Sequence, residues 1–281
     1  LPLFRTCLLQ ISEQHSIWVF VVHHCVFDGL SRTALLEQLV ATYNADLQAK
    51  PILFADVAYS YLQYAKQQTA AYQAGEYDLS INYWCQQLQN TQPLNLLTDY
   101  PRSADIDFAG ERIVAQVDQA DYQAIIKLAS EHKISPFLII FACVNTLLYR
   151  YTGQQDICLG TVIDMRDNLA LETAAGLYVE TVALRTSWQG DISFAQLLMQ
   201  IKVFFFTAYE HRFAPFSKVV EAVADQSLTG NRNPLFDVMF VFQNAEPEVL
   251  AFTNITCQTK SISPDIARFE LTIEALEING G

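Results

Sequence analysis

The sharpest chemical signal in this 281-residue chain is the run HHCVFDG at residues 23–29. Two histidines, three spacers and Asp-Gly fix four positions in seven, which chance supplies roughly once in several thousand chains of this length. Imidazole titrates near neutral pH, so a positioned histidine can take a proton from a reacting group. Asp28 lies close enough in sequence to fold back on the pair, and a buried carboxylate requires a cationic partner. Gly29 permits a tight backbone and can bring an N–H close to a substrate. A lone histidine after a strand reads as a hydrogen-bonded structural residue. The pair with Asp-Gly behind it reads as a catalytic centre, with His24 or His23 as the base.

Such a centre needs a rigid frame. Residues 3–12 and 15–24 are rich in Val, Ile and aromatics and predict two strands joined by a polar turn at Glu13-Gln14. The second strand, with IWVFVV at its centre, is apolar on both faces, which predicts a central position in a sheet. At its end, alternation should turn the rings of His23 and His24 opposite ways, one facing a cleft and the other packed inside. Ser31 is a candidate cap for a helix with Leu35, Leu36, Leu39, Val40, Tyr43 and Leu47 on one face, ended by Pro51. Further helices are expected over about 55–73 and 78–90. A crossing segment, LNLLTDYPRSADIDFAG, follows. Then come a strand RIVAQVD, a helix over about 119–132 and a core helix from Pro136 through Tyr149. Strands in DICLGTVIDM and GLYVETVALRTSW, a helix capped by Asp191, and strands in PLFDVMFVFQN and ARFELTIEAL complete the order. This mixture has no regular βαβ period and predicts an α+β layered fold.

The formal net charge of −13 would repel phosphate and argues against nucleic-acid binding. Half of the residues are hydrophobic, enough for a large core. No apolar run reaches the ~20 residues of a membrane span. The six cysteines form no C-x-x-C pair, and most sit in apolar runs, which reads as buried thiols of a cytoplasmic protein without a metal site. The chain opens without Met or a secretory leader and closes on Gly-Gly inside a strand-like pattern. That reads as a piece of a longer polypeptide.

The HHCVFDG run resembles the signature of an acyltransferase superfamily that includes chloramphenicol acetyltransferase, carnitine acyltransferases and the condensation domains of non-ribosomal peptide synthetases. Seven further runs, in the condensation-domain order, narrow the resemblance: FADVA, YWCQQL, LTDYPR, GTVIDMRD, GLYVETVALR, HRFAPFSKVVEAV and NRNPLFDVMFVFQN. Singly, each reads as ordinary core; their collective order carries the information. Two opening segments of the family and its last strands and helix are not found in this stretch.

The resemblance implies two chloramphenicol-acetyltransferase-like lobes in a V with a tunnel between them. Residues 1–100 would form the end of an incomplete first lobe plus the crossing, and 101–281 most of the second. It implies His24 as the catalytic residue, with His23, Asp28, Gly29 and Arg166 in support. Arg166 follows a buried strand and is the candidate partner of Asp28; the alternative is a solvated surface arginine. Tyr178 and Glu180 would lie on the tunnel or acceptor side, Glu180 standing where the family usually has Asn. The implied reaction is amide formation between acyl and aminoacyl thioesters carried on phosphopantetheine arms by upstream and downstream carrier domains, with an adenylation domain adjacent. No cofactor would be bound by the domain itself. Ester formation, epimerisation and a non-catalytic carrier-binding module are the alternatives. An Asp-based heterocyclisation motif and an epimerisation-type Glu-Gly-His-Gly-Arg run are not seen.

Overall fold

The computed structural model describes residues 2–52, 59–102, 107–188, 190–223, 232–244, 250–260, 262 and 265–277. Part of the expected second helix, the FADVA run and Asn231 lie outside them. The elements are β1 (Phe4–Ser12), β2 (His15–Val22), a 3-10 turn (His24–Val26), α1 (Gly29–Leu47), α2 (Tyr61–Gln73) and α3 (Asp78–Leu88). They continue with α4 (Gln119–His132), α5 (Pro136–Thr152), β3 (Asp156–Asp164), α6 (Leu169–Glu172), β4 (Val179–Ser187), α7 (Phe194–Glu210), α8 (Phe216–Val223), β5 (Val238–Asn244) and β6 (Leu271–Glu277).

The chain folds into two compact units that are not consecutive in sequence. One comprises residues 1–75, 164–179 and 248–260; the other comprises 76–163, 180–247 and 261–281. In the first unit, β1 and β2 form an antiparallel hairpin, Phe4 opposite Val22 and Ser12 opposite His15. The central placement expected for β2 does not hold: among the described residues it pairs only with β1. Phe4, Leu8, Ile11 and Val21 of the hairpin are exposed. An apolar run reports that both faces favour burial, not which segment supplies the cover.

The second unit is built on a four-stranded sheet of order β4-β3-β5-β6, with β5 parallel to both β3 and β6. Its core joins Trp84 and Leu88 of α3 to α5, α7, β3, β4 and β5. As its periodicity predicts, α5 buries seven residues, Leu138 and Phe141 among them. No single described helix is long and apolar enough to cross a membrane; α4 and α5 reach that length together only across a 108° bend.

Three local readings change. The cap of α1 is Asp28, not Ser31: the Asp28 side chain accepts the Ser31 N–H. The cap of α7 is Ser193, in a reciprocal capping box with Gln196, rather than Asp191. Residues 112–118 are not a strand, and Ile113 and Val114 are exposed. β-Propensity alone makes no ladder where no partner strand lies alongside. The cysteines differ too. Only Cys158 is buried, its thiol pushed up to about 12 by burial, while Cys7, Cys25, Cys143 and Cys257 are exposed. Cys7 lies on the uncovered hairpin, and Cys143 on the outer side of α5. An apolar neighbourhood in sequence does not bury a residue on the wrong face of its element.

Gly160 of β3 pairs with Met239 of β5, and a Cβ built on it would fall inside the ring of Phe236. That ring is buried and stacked on Phe269, 5.4 Å between centroids, so it has little room to yield. Gly160→Ala is expected to destabilise the protein by about 1–3 kcal/mol through overpacking. Urea unfolding checks this, and Phe236→Leu in the same chain should return part of the loss.

Candidate active site

The histidine pair sits where β2 hands over to α1. The His23 N–H donates to the Leu3 carbonyl (2.8 Å), and the chain then turns: Val26 N–H bonds the His23 carbonyl and Phe27 N–H the His24 carbonyl, both at 3.2 Å. The Phe27 ring packs edge-on against Phe20 of β2, with centroids 5.6 Å apart, and anchors the turn to the hairpin. Both histidines are exposed. The expectation that one ring would pack inside fails, because the strand ends at Val22 and strand alternation ends with it.

Backbone contacts give the two rings different tautomers. His24 Nδ1 lies 2.7 Å from the Phe27 carbonyl oxygen. A carbonyl only accepts, so Nδ1 carries the hydrogen and the lone pair of the neutral ring is on Nε2. His23 Nδ1 instead accepts the Cys25 N–H at 3.1 Å, so its hydrogen is on Nε2. Of the two Nε2 atoms, only that of His24 offers a lone pair.

Immediately after the turn, Asp28 is enclosed. Its Oδ1 accepts from the Ser31 N–H (2.9 Å), the Ser31 hydroxyl (2.8 Å) and Arg166 Nη2 (2.9 Å). Its Oδ2 accepts from Arg166 Nη1 (2.9 Å) and the Tyr178 N–H (2.9 Å). The pair is bidentate, with side chains 1% (Asp28) and 2% (Arg166) exposed, so the solvated-arginine reading is set aside. Arg166 also donates from Nε to the Leu171 carbonyl, and from its Nη atoms to the Ala174 carbonyl and to Asp164. Burial pushes the Asp28 carboxyl up, but Arg166, the Ser31 and Tyr178 N–H groups and the Ser31 hydroxyl outweigh it and hold the group below the usual carboxylate range. Burial likewise disfavours the Arg166 charge, and Asp28 and Asp164 more than restore it.

Tyr178 is fully buried, with Arg166 4.6 Å above its ring and Tyr61 and Tyr64 edge-on around it. It backs the ion pair with its N–H and its ring and presents no surface to solvent. A Cβ on Gly176 would collide with the rings of Tyr178 and Tyr61. Gly29 opens α1, and a Cβ there would meet nothing within 4 Å among the described residues. Ser31 was singled out in sequence only as a cap. Its hydroxyl, while donating to Asp28, also accepts the Gly176 N–H at 2.9 Å and so ties Asp28 to Gly176. Among the described residues, no three His, Cys, Asp or Glu side chains converge to hold a metal ion.

Glu180 belongs to the other compact unit. Burial raises its pKa, opposed only in part by the N–H groups of Thr181 and Phe216. A carboxyl whose folded pKa is raised contributes stability below its unfolded value, about 4.3, and loses it as pH rises through the folded value. Glu180→Gln keeps Oε1 as an acceptor for the Thr181 N–H and removes the charge. It is expected to unfold later than wild type at pH 7, by on the order of 1 kcal/mol, with the gap closing below about pH 4. Urea midpoints at the two pH values check this.

Comparison with known proteins places this geometry. A profile of the family described as Condensation domain matches residues 1–281. Tyrocidine synthase 3 of Brevibacillus parabrevis is 33% identical over 278 residues, 98% of this chain and 4% of that protein. Surfactin synthase subunit 2 of Bacillus subtilis (strain 168) is 34% identical over 278 residues, again 98% of this chain and 8% of that protein. The chain therefore spans a small part of the curated relatives it matches. Among solved structures, a four-domain nonribosomal peptide synthetase bound to AMP and glycine superimposes with a TM-score of 0.85 at 23% identity, covering 99% of this chain and 22% of that one. The X-domain from teicoplanin biosynthesis gives a TM-score of 0.79 at 20% identity, covering 98% and 63%. At these identities the structural likeness carries the fold alone, which is the mixed α+β, chloramphenicol-acetyltransferase-like fold. The profile match over the whole length, joined to the HHCVFDG turn and its ordered companions, makes this chain a member of the condensation-domain family of nonribosomal peptide synthetases.

Proposed function

We propose that the chain supplies the catalytic histidine for amide-bond formation between an acyl or peptidyl thioester and an aminoacyl thioester, each borne by a carrier domain on a phosphopantetheine arm. The observation that carries this reading is the tautomer of His24: the Phe27 carbonyl holds the hydrogen on Nδ1 and leaves the lone pair on Nε2 of an exposed residue. The acceptor amine attacks the donor carbonyl, and a C–N bond forms. His24 Nε2 takes the proton from that nitrogen. The C–S bond then breaks, and the imidazolium returns the proton to the departing thiolate. Reactants and products balance with no metal or redox partner. Positioning of the amine and stabilisation of charge in the tetrahedral intermediate belong to the same residue.

In this reading Asp28 and Arg166 are positioning residues. Their charges are mutually satisfied within the unit, and Asp28 is joined to His24 through the three residues of a tight turn, Cys25, Val26 and Phe27. Tyr178 backs the ion pair and does not touch substrate. Glu180, at the family's acceptor-side Asn position, is proposed to influence which acceptor is used. Carrier domains upstream and downstream, and an adjacent adenylation domain, are the partners proposed.

A second reading, a non-catalytic docking module, is favoured by one observation. The X-domain to which the chain is similar has also been solved in complex with OxyB, with a TM-score of 0.81 to this chain. The test is a condensation assay with one donor-loaded and one acceptor-loaded carrier, with product followed by mass spectrometry. Amide product supports the proposal. Carrier binding with no turnover overturns it in favour of the docking module.

A further inference from the structure

Aspartates withdrawn from solvent in this chain are answered by arginines. Among the described aspartates three are not exposed, and each has its own partner: Asp28 with Arg166 at 2.9 Å, Asp156 with Arg185 at 2.6 Å and Asp237 with Arg232 at 2.7 Å. Burying a carboxylate without such a partner is costly. Glu180 departs from the pattern. It is half-buried in β4, and no described lysine, arginine or histidine pairs with it. Burial and the N–H groups of Thr181 and Phe216 account for its pKa; no charged side chain of either sign contributes.

The unpaired carboxyl is also within reach. Oε1 accepts the Thr181 N–H at 3.1 Å. Oε2 has no hydrogen bond of comparable geometry, and it is not one of the enclosed side-chain oxygens that lack a partner. It therefore keeps surface open to a ligand. An asparagine here would also supply an acceptor, so what the glutamate adds is length and a negative charge. That charge lowers stability at neutral pH, and nothing among the described residues offsets it. A cation arriving from outside would.

We propose that Glu180 pairs with a cationic side chain of the acceptor, an ammonium or guanidinium group, and so selects basic aminoacyl thioesters. This rests on the reading of the chain as an amide-forming domain with Glu180 on the acceptor side. The chemistry excludes the acceptor's own α-amine as the partner. That amine must be neutral to attack, and a carboxylate beside it would favour the protonated, unreactive form. A side-chain cation carries no such conflict.

Acceptors that differ in side-chain charge test the pairing: arginyl against citrullinyl, and lysyl against norleucyl. Binding is measured first, by isothermal titration calorimetry of the whole chain with the corresponding aminoacyl pantetheine amides, in which an unreactive amide replaces the thioester. Each cationic compound is expected to bind about ten- to hundred-fold tighter than its neutral counterpart. Glu180→Gln should bring both ratios close to one. That variant is expected to be no less stable than wild type at pH 7, so lost selectivity is not lost folding. With the same pairs competing as carrier-borne acceptors in the two-carrier assay, the product ratios should follow the affinities. Equal affinities in wild type, or ratios that survive Glu180→Gln, overturn the proposal. Selective binding with no product from any acceptor supports the Glu180 pairing and counts against the amide-forming reading instead.

Discussion

His24→Ala is expected to lower product formation in the two-carrier assay by about a hundred- to ten-thousand-fold, the range for removing a positioned general base. Stability should change little, because the residue is exposed and, among the described residues, its side chain makes a single hydrogen bond, to the Phe27 carbonyl. His23→Ala is the matched control. It removes the imidazole of another exposed residue, whose Nδ1 accepts the Cys25 N–H and whose hydrogen is therefore on Nε2. It should loosen the turn and slow the reaction less. Activity, circular dichroism and melting temperature measured together separate chemistry from folding. Full product formation by His24→Ala, or equal loss from both variants, contradicts the assignment of the base to His24.

The second large effect is on stability. Asp28→Ala leaves Arg166 buried without its main counter-charge, and breaking a buried pair from one side costs about 3–5 kcal/mol. Asp164 still contacts Nη1 at 3.1 Å, so the lower half of that range is expected. The loss also includes the α1 cap, because Asp28 holds the Ser31 N–H. Arg166→Leu should cost a similar amount by stranding the carboxylate. The double variant should cost less than the two losses added, since neither charge is then left alone. The pH dependence has a definite sign. The folded Asp28 pKa is lowered, so its stabilisation is present above the unfolded value of about 3.9 and is lost as pH falls through the folded one. The gap between wild type and Asp28→Asn should therefore narrow in acid. Urea unfolding of the single and double variants, repeated at pH 7 and in acid, tests both statements. A loss under about 1 kcal/mol for Asp28→Ala would mean that the pair does not hold the unit together.

Both predictions share one structural cause. Residues 23–28 form a short tether, with the base at one end and a saturated carboxylate at the other. The carboxylate fixes where the tether ends, and the Phe20–Phe27 contact fixes where it turns. Asp28→Ala is therefore expected to reduce activity as well, through a displaced His24 rather than through lost chemistry. Its residual activity should recover on cooling, where His24→Ala should not.

Much of this was legible without coordinates, because the signals are local. The Glu13-Gln14 turn, the start of α5 at Pro136, the span of α4 and the strands β3 to β6 follow from periodicity and punctuation a few residues long. The histidine pair is legible for the same reason: its residues are contiguous, and the backbone that sets their tautomers lies within four positions. Capping was less legible, because two polar residues competed for each helix start and only side-chain direction chose Asp28 over Ser31 and Ser193 over Asp191.

What the tertiary structure alone decided is long-range. Arg166 lies 138 residues from Asp28, and no periodicity connects them. Residues 164–179 leave the sheet of the second unit and join the first, bringing Arg166, Gly176 and Tyr178 to one carboxylate. Whether the apolar faces of β2 would be covered, whether Cys143 would face inward, and whether Tyr178 would present its ring or hide it depended likewise on which distant segment arrived. A short sequence determines the chemistry a residue can perform and the turn that carries it. Burial and ion pairing are set by partners remote along the chain, and those partners become neighbours only when the whole fold closes.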